Sequence, residues 1–507
     1  MPTKSTEAAG WLATEFTVKR LAGVTMAEIR YLDDDIIRLY AHGKPRTKAN
    51  LVATLFWGDQ IRVATEGGEG VAEMWRWIWD AQNQRYSWVR YLCALPARIK
   101  FRSGPVMKVR FLDVGQGDAA IIESAKGKVI LLDGGEEEHL RNYIKKAYSH
   151  ILRTRSLHCD AIVVTHGDAD HYEGLTKLIE GRGRNNRALI TADYVYHNGL
   201  IKDSYDRDVE AFGKTTKSNG KTYAVDLVDD LLTADESRMN TPFQRWQKAL
   251  RQLKSDSAGL KCKRVEFGSD RAFEFLAEEG IQVQVLGPIT ETVQGKPALP
   301  FLRRPEGGLS ASHTVNGHSV ILKLTLGNVR FLFGADLNQE SEERLLEAAK
   351  TKTLSLTAEI LKVPHHGSAD FSPRMLEAVK PVVSVISSGD ENEAKEYIHP
   401  RAGLVGALGK FSRGTVDKPL IYVTEMVAFF ARLGDINATG LKGKKKDEVV
   451  AVHNAYQKTQ FGIVHVRTDG HRVLVVTHSG RDDQKESYAF TVDERGDITF
   501  AEETTIV

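Results

Sequence analysis

The chain has 507 residues, with 69 Lys and Arg against 67 Asp and Glu and a formal net charge of +2. That length accommodates one large domain plus a smaller one, and the near balance excludes a global basic field that would by itself announce a nucleic-acid binder. The cysteines (Cys93, Cys159, Cys262) stand far apart, which excludes a cysteine-based zinc site and fits a reducing compartment. Met1 to Arg20 lacks the apolar core of a signal peptide, and no run approaches 18 apolar residues. A cytoplasmic protein without a membrane partner is therefore expected.

Residues 1–104 read as an N-terminal β-rich module. Alternating stretches at Glu28–Leu32, Ile36–Tyr40 and Asp59–Thr65 carry the strand signal. Leu51–Asp59 resembles the middle of a bacterial SH3-like barrel. Trp57, Trp75, Trp77, Trp79 and Trp88 all fall here; core or interface packing is the expectation over base stacking, and the module is a candidate surface for a protein partner.

A turn at Gly104-Pro105 places the boundary of a second domain, 105–507. Met107–Asp113, a Gly-rich turn through Asp118, and Lys128–Asp133 read as strand, turn and strand. His139–Leu152 has helical spacing, so a strand-helix-strand unit leads into the next strand, Ala161–Val164. That strand ends in Thr165-His166-Gly167-Asp168-Ala169-Asp170-His171. Two His and two Asp within six residues would be costly like-charge crowding unless a cation sat there. The spacing lets His166 and Asp168 serve one metal and Asp170 and His171 a second. Two divalent ions roughly 3.5–4 Å apart can generate a hydroxide nucleophile and neutralise a phosphoryl or acyl oxygen. The competing reading is a polar loop that merely caps a helix starting near Glu173.

His166-x-Asp168-x-Asp170-His171 resembles the signature of the metallo-β-lactamase fold, in the variant where Asp replaces the second His. Together with Asp113-Val-Gly-Gln-Gly-Asp118 and later motifs, it looks like the hydrolase domain of the ComEC/Rec2 competence proteins, over roughly residues 106 to 480. The resemblance implies an αββα sandwich and a dinuclear centre of Zn or Mn. It places Asp133 beneath the metals, where a buried carboxylate would orient ligands from behind. Asp113 and Asp118 are either such supports or turn formers.

Residues 180–300 interrupt the pattern and are expected as an insertion. Arg182–Arg187, Lys214–Lys221 and Arg245–Arg264 are basic; they are either solvated faces or an edge that positions a nucleic-acid backbone. His197 is a weaker ligand candidate at its strand end. His313–Ser319 reads as a turn feeding a strand, and Val329–Asp336 as the next. By the resemblance Asp336 is the bridging carboxylate, with Ala335 inserted before it, while His313, Asn316 and His318 compete for the first metal, His318 being favoured. Lys362-Val-Pro-His365-His366-Gly-Ser matches a family motif, with His365 as the last ligand and His366 either a support or the true ligand. Lys362 would neutralise a scissile phosphate or snorkel. Ser387–Pro400 resembles a further family block, including Asn392 and Tyr397, and presents His399 as a proton donor to the leaving oxygen. A second insertion near 435–458 carries Lys442, Lys444, Lys445 and Lys446.

The reading is a metal-dependent phosphodiesterase or nuclease acting on DNA or RNA through metal-bound hydroxide, with Asp170, His399 and Lys362 as catalytic groups. The alternatives are a small ester, lactone or cyclic-nucleotide hydrolase of the same fold, and a sensor or scaffold subunit of a multi-protein system.

Overall fold

The structure, a computed structural model, describes residues 28–66, 69–80, 85–115, 117–203, 211–305, 307–389, 399–414, 416, 419–424, 462–478 and 487–502. The chain divides into two compact units, Met1–Met107 with Glu123–Lys128 and Glu502–Val507, and Lys108–Ile122 with Val129–Ala501. Asn392, Tyr397 and the basic run Lys442–Lys446 lie outside the described residues.

The first unit is β-rich. Its seven-stranded sheet runs Leu51–Phe56, Ile36–Ala41, Arg85–Ala94, Glu69–Asp80, Gln60–Glu66, Glu28–Leu32, Phe101–Arg102, and the pairings are antiparallel. Leu32, Ile37, Leu39, Ile61 and Cys93 form its core. Trp57 is buried, donates its indole N–H to Asp33 at 3.2 Å and lies under the Arg102 guanidinium at 4.5 Å. Trp75 instead is 40% exposed, so one tryptophan is core and another is surface. The side chains of Trp77, Trp79 and Trp88 lie outside the described residues. The SH3-like resemblance gains no support from this strand order.

The second unit holds two large sheets. The ten-stranded one runs Lys261–Arg264, Ile190–His197, Leu157–Val163, Val129–Leu132, Ala120–Glu123, Met107–Phe111, Ile463–Thr468, Arg472–His478, Ser487–Val492, Ile498–Phe500. Its first four strands pair in parallel and its last four antiparallel. The six-stranded sheet starts antiparallel with Ile281–Gly287, Ile321–Leu326 and Val329–Phe333, then continues in parallel through Ile360–Lys362, Val383–Ile386 and Leu420–Val423. The central parallel strands, buried on both faces, are mostly apolar, as in Val-Ile-Leu-Leu at 129–132, while the edge strand Lys261–Arg264 is polar and partly exposed.

Side chains alternate across each strand, and the alternation builds the layers. Val129 and Leu131 pack under Leu140, Leu175, Leu178, Trp246 and Leu250 of the helices His139–Ala147, Ala169–Glu180 and Thr241–Asp256. In the second sheet Leu332 and Leu361 pack with Leu345, Leu376 and Leu404 of the helices Gln339–Thr351, Pro373–Val379 and Ala402–Phe411. Phe331 and Phe333 point the other way, and Phe333 meets Phe111 of the first sheet with ring centroids 6.1 Å apart. The unit is thus a mixed α/β structure with helices on the outer faces of two facing sheets.

Two expectations change. Residues 180–300 are in large part built into the sheets: Ile190–His197 and Lys261–Arg264 extend the first, Ile281–Gly287 edges the second, and helix Thr241–Asp256 enters the core. The apolar faces of these elements need that burial. Only the hairpins Thr215–Ala224 and Glu291–Pro300 form a separate four-stranded sheet. His313–Ser319, read as a turn, lies largely within a short helix, Ala311–Gly317, whose N-terminus is capped by the Ser310 hydroxyl accepting from His313 N–H at 3.3 Å.

Candidate metal centre

The parallel strands of both sheets deliver their carboxyl ends to one place, where α/β sheets bind ligands. Leu132 passes to Asp133, Val163 to the turn His166–His171, Phe333 to Asp336, Lys362 to His365 and His366, and Ile386 to Ser387. The turn packs backbone against backbone. A side chain at Gly117 would meet the Asp170 carbonyl at 2.2 Å, and one at Gly174 the Gly134 carbonyl at 2.0 Å. Four non-glycine residues here, Asp133, Ala335, His365 and His366, hold left-handed backbone with φ of 56°, 43°, 50° and 51°. Such strain costs on the order of 1–3 kcal/mol each and clusters at functional sites. The inserted Ala335 thereby acquires a reason: its carbonyl accepts from His365 N–H at 2.8 Å and from Lys362 Nζ at 3.3 Å.

Hydrogen bonds fix the tautomers of three buried histidines. His171 Nδ1 faces Asp133 Oδ2 at 2.9 Å. His366 Nδ1 faces the Ser387 carbonyl at 3.0 Å, which can only accept. His166 Nδ1 lies 3.1 Å from Thr165 Oγ1 and 3.3 Å from Ser319 Oγ. Both hydroxyl protons are already committed, Thr165 to Asp133 Oδ2 at 2.7 Å and Ser319 to the Asn316 carbonyl at 2.7 Å, so His166 Nδ1 must carry the hydrogen. Each ring therefore turns an Nε2 lone pair the other way, and all three Nε2 atoms, with Asp336 Oδ1, are buried without a hydrogen-bond partner. Buried polar atoms are seldom left so, since each costs about 1–3 kcal/mol.

These atoms converge. His171 Nε2 lies 3.5 Å from Asp336 Oδ2 and 3.9 Å from Asp170 Oδ2; His366 Nε2 lies 3.2 and 3.6 Å from the same two oxygens. His166 Nε2 is 3.9 Å from Asp168 Oδ2. His166, His171 and Asp336 form one group able to hold a metal ion, and Asp170, His171 and His366 another. Burial opposes charge on Asp336, but His366 and His171 hold its carboxyl well below the usual range. Burial, seconded by His171, pushes His166 down to about 3, so it stays a neutral donor. Burial also works against His366, yet Asp336 and Asp118 raise it to about 10.

Around this cluster the structure sorts the other candidates. Asp133 stands directly behind the metal turn, accepting from Thr165 N–H at 2.8 Å as well as from His171. Asp118 is buried in an ion pair with Lys362, so Lys362 neither snorkels nor stands free for a substrate phosphate. Asp113 is half-buried and enters none of the metal-competent groups found among the described residues. His365 joins none of the metal-competent groups found among the described residues: its Nε2 faces the Asn316 amide at 3.3 Å, its ring lies 6.0 Å from that of His399, and its Nδ1 is buried without a partner. The Asn316 amide satisfies its surroundings when its nitrogen donates to Asp168 Oδ2 at 3.0 Å and its oxygen accepts from His365. Asn316 is thus the one of the three competitors that reaches the cluster. His318 donates to the Pro300 carbonyl at 2.7 Å, and His313 pairs with Asp370 at 2.9 Å. His197 accepts from Gly199 N–H at 3.1 Å and belongs to none of the groups. Burial, then His366 and His365, pushes His399 down to about 3. Lys202, unnoticed in sequence, holds Asp168 Oδ1 at 2.8 Å; Thr165 and Ser319 were equally unmarked, because hydroxyls carry no spacing signal.

The loop Arg182–Arg187 lies elsewhere. Helix Ala169–Glu180 starts at the metal turn and ends 12 residues later, about 18 Å away. Arg182 pairs there with Asp256 at 2.8 Å, and Arg187 donates to the Thr154 and Leu152 carbonyls at 2.6 Å. Arg251 and Arg264 are held by Glu236 and Asp229.

Three histidines with locked tautomers and interleaved carboxylates fit a divalent metal, whose charge would satisfy every orphaned atom. Residues 112–238 match the metallo-beta-lactamase superfamily. The matched stretch carries Asp118, Asp133 and the whole metal turn, whereas Asp336, His366 and His399 come from beyond it, largely off the second sheet. Members of the metallo-beta-lactamase superfamily are in general metal-dependent hydrolases that bind divalent ions, usually zinc. No curated protein matches the chain. Among the described residues no helix is long and apolar enough to cross a membrane.

Proposed function

We propose that this protein is a hydrolase that uses two divalent ions, zinc or manganese, to cleave phosphodiester bonds of nucleic acid. The observation that carries the metal reading is the convergence of three orphaned Nε2 atoms on Asp336. In the proposed set, His166, Asp168 and Asn316 hold the first ion, Asp170, His171 and His366 the second, and Asp336 serves both. Bound there, the ions would activate water and neutralise developing charge on the reacting centre.

The carboxylates favour a phosphodiester. Three of them, Asp168, Asp170 and Asp336, stand against the charges of two dications, which leaves a surplus of one positive charge for a monoanionic group. Oxygen-rich ligation also hardens the first site, so manganese competes there better than at an all-histidine site. Asp133 holds His171, and Asn316 ties Asp168 to His365. His399, next to His365, is the group proposed to hand a proton to the leaving oxygen; burial keeps its imidazole neutral in the free protein, so it would first take up that proton beside the substrate's negative charge.

The test is metal analysis of the purified protein followed by hydrolysis assays on single- and double-stranded DNA and RNA and on a chromogenic phosphodiester. Two ions per chain and cleavage of at least one polymer are expected. A protein that stays metal-free after reconstitution with both ions would end this reading.

A further inference from the structure

A cavity of about 550 Å³ is lined by Arg303, Arg304, Arg344, His313, Glu340 and Glu347, among others. Three segments that leave the proposed centre run straight into its wall. His313 stands three residues before Asn316 in the helix Ala311–Gly317, one turn away on the same side. Gln339 follows Asp336 by three residues, and Asp370 follows His366 by four; both line the cavity. Its wall therefore shares three chain segments with the metal-binding end of the fold.

Its charges are sorted. Asp370 is committed to His313 at 2.9 Å, Arg344 to Glu291 at 2.9 Å, and Glu343 to Arg374. Among the described residues no ion pair engages the guanidinium of Arg303 or Arg304, nor the carboxylate of Glu347. Arg303 and Arg304 stand at the base of a hairpin closed by the bridge between Arg303 and Leu309, and both are exposed. The helix Gln339–Thr351 supplies Glu340 and Glu347. Glu340 accepts from the Arg303 backbone N–H at 2.7 Å through one carboxylate oxygen. A cavity with two arginines outside any ion pair among the described residues, and with the Glu347 carboxylate beside them, suits a ligand with an anionic end and a donor-bearing end, rather than a uniform polyanion. The volume is that of a small-ligand pocket.

Resting on the phosphodiesterase reading, we infer that this cavity is a nucleotide subsite. It takes the nucleotide next to the scissile bond, with that nucleotide's own phosphate on Arg303 and Arg304 and its hydroxyl or amino donors toward Glu340 and Glu347. Arginine matches phosphate with paired, charge-assisted hydrogen bonds.

The experiment is calorimetric binding to the manganese-loaded full chain of two probes, a thymidine dinucleotide and the same dinucleotide carrying a 5′-phosphate. The phosphorylated probe should bind about tenfold more tightly, the worth of one or two charged hydrogen bonds. The double variant Arg303→Ala, Arg304→Ala should erase that preference while leaving affinity for the unphosphorylated probe unchanged. Its melting temperature shows that the fold is kept. Equal affinity of the wild type for both probes, or a preference that survives in the variant, would overturn the subsite. Hydrolysis of the unphosphorylated dinucleotide is followed in parallel. A wild type that shows the arginine-dependent preference but never cleaves it would remove the phosphodiesterase reading and leave the subsite standing.

Discussion

The amino ends of the parallel strands in the first sheet and the carboxyl ends of the parallel strands in both sheets treat polar groups in different ways. At the amino end, Arg182 meets Asp256, Arg187 caps two carbonyls, and Ser156 Oγ donates to Ala188 O at 2.6 Å. At the carboxyl end, His166, His171, His366 and Asp336 are buried deeper, yet each keeps an atom with no partner. Folding alone would penalise the second arrangement. What distinguishes the carboxyl end is therefore not the number of charged residues but the convergence of several unsatisfied atoms on one point; a lone one such as Arg141 Nε also occurs at the amino end. Left-handed backbone occurs at both ends, but at the amino end it falls on Asn185 and Asn186, a residue type that tolerates it, while at the carboxyl end it falls on Asp133, Ala335, His365 and His366.

The contrast breaks most completely at Asp336. Asp336→Ala removes the one carboxylate placed within 3.5 Å of both His171 and His366. Hydrolysis should fall to background and metal content should drop, measured by assay and elemental analysis on the same preparation. Wild-type turnover in this variant would show that the bridge lies elsewhere. A finer cut separates the paired histidines. His366→Ala should lose one ion per chain, because His366 Nε2 is the atom aimed at Asp170 and Asp336. His365→Ala should keep the full metal content and lose only rate, since its Nε2 is taken by Asn316. The reverse pattern would restore His365 as the ligand.

Asp133 tests the support behind the turn. Asp133→Asn cannot accept as strongly from His171 Nδ1 and can present a donor to it, releasing the tautomer that aims Nε2 inward. Metal affinity should fall by about 10–100-fold, the usual cost of losing such a support, read by competition against a chromophoric chelator. An unchanged affinity would mean that Thr165 alone orients the ring.

Much of this was legible in the sequence. The turn His166–His171 declares itself, because four ligand types in six residues have few other uses, and Asp133 and Asp336 follow apolar strands that announce their own ends. What was not legible is tertiary. Nothing local distinguishes His365 from His366; a left-handed backbone at both residues decides which ring faces Asp336. His318 looked better than Asn316 by residue type, yet the two-turn helix capped by Ser310 swings His318 toward Pro300 and Asn316 toward Asp168. Lys362 was read as a free cation because its partner Asp118 is 244 residues away in sequence.

The arginines of the loop after helix Ala169–Glu180 give the smallest expected effect and the sharpest reversal of the sequence reading. Following directly on the metal turn, Arg182, Arg184 and Arg187 looked like an edge that could grip a backbone. A 12-residue helix, however, carries the chain to the opposite end of the sheet, a distance of about 18 Å. That exceeds twice the screening length of about 8 Å at physiological salt. There Arg182 and Asp256, each roughly a quarter exposed, form a pair of a kind worth about 0–1 kcal/mol. Reversing all three charges should therefore lower the melting temperature slightly, through the lost pair and the lost carbonyl contacts of Arg187. Hydrolysis of a chromogenic phosphodiester should stay unchanged, and so should affinity for a short oligonucleotide and the slope of that affinity against salt. If the slope flattens instead, polymer runs along the far end of the sheet as well, and the division between a satisfied end and a reactive end no longer describes how this protein meets its substrate.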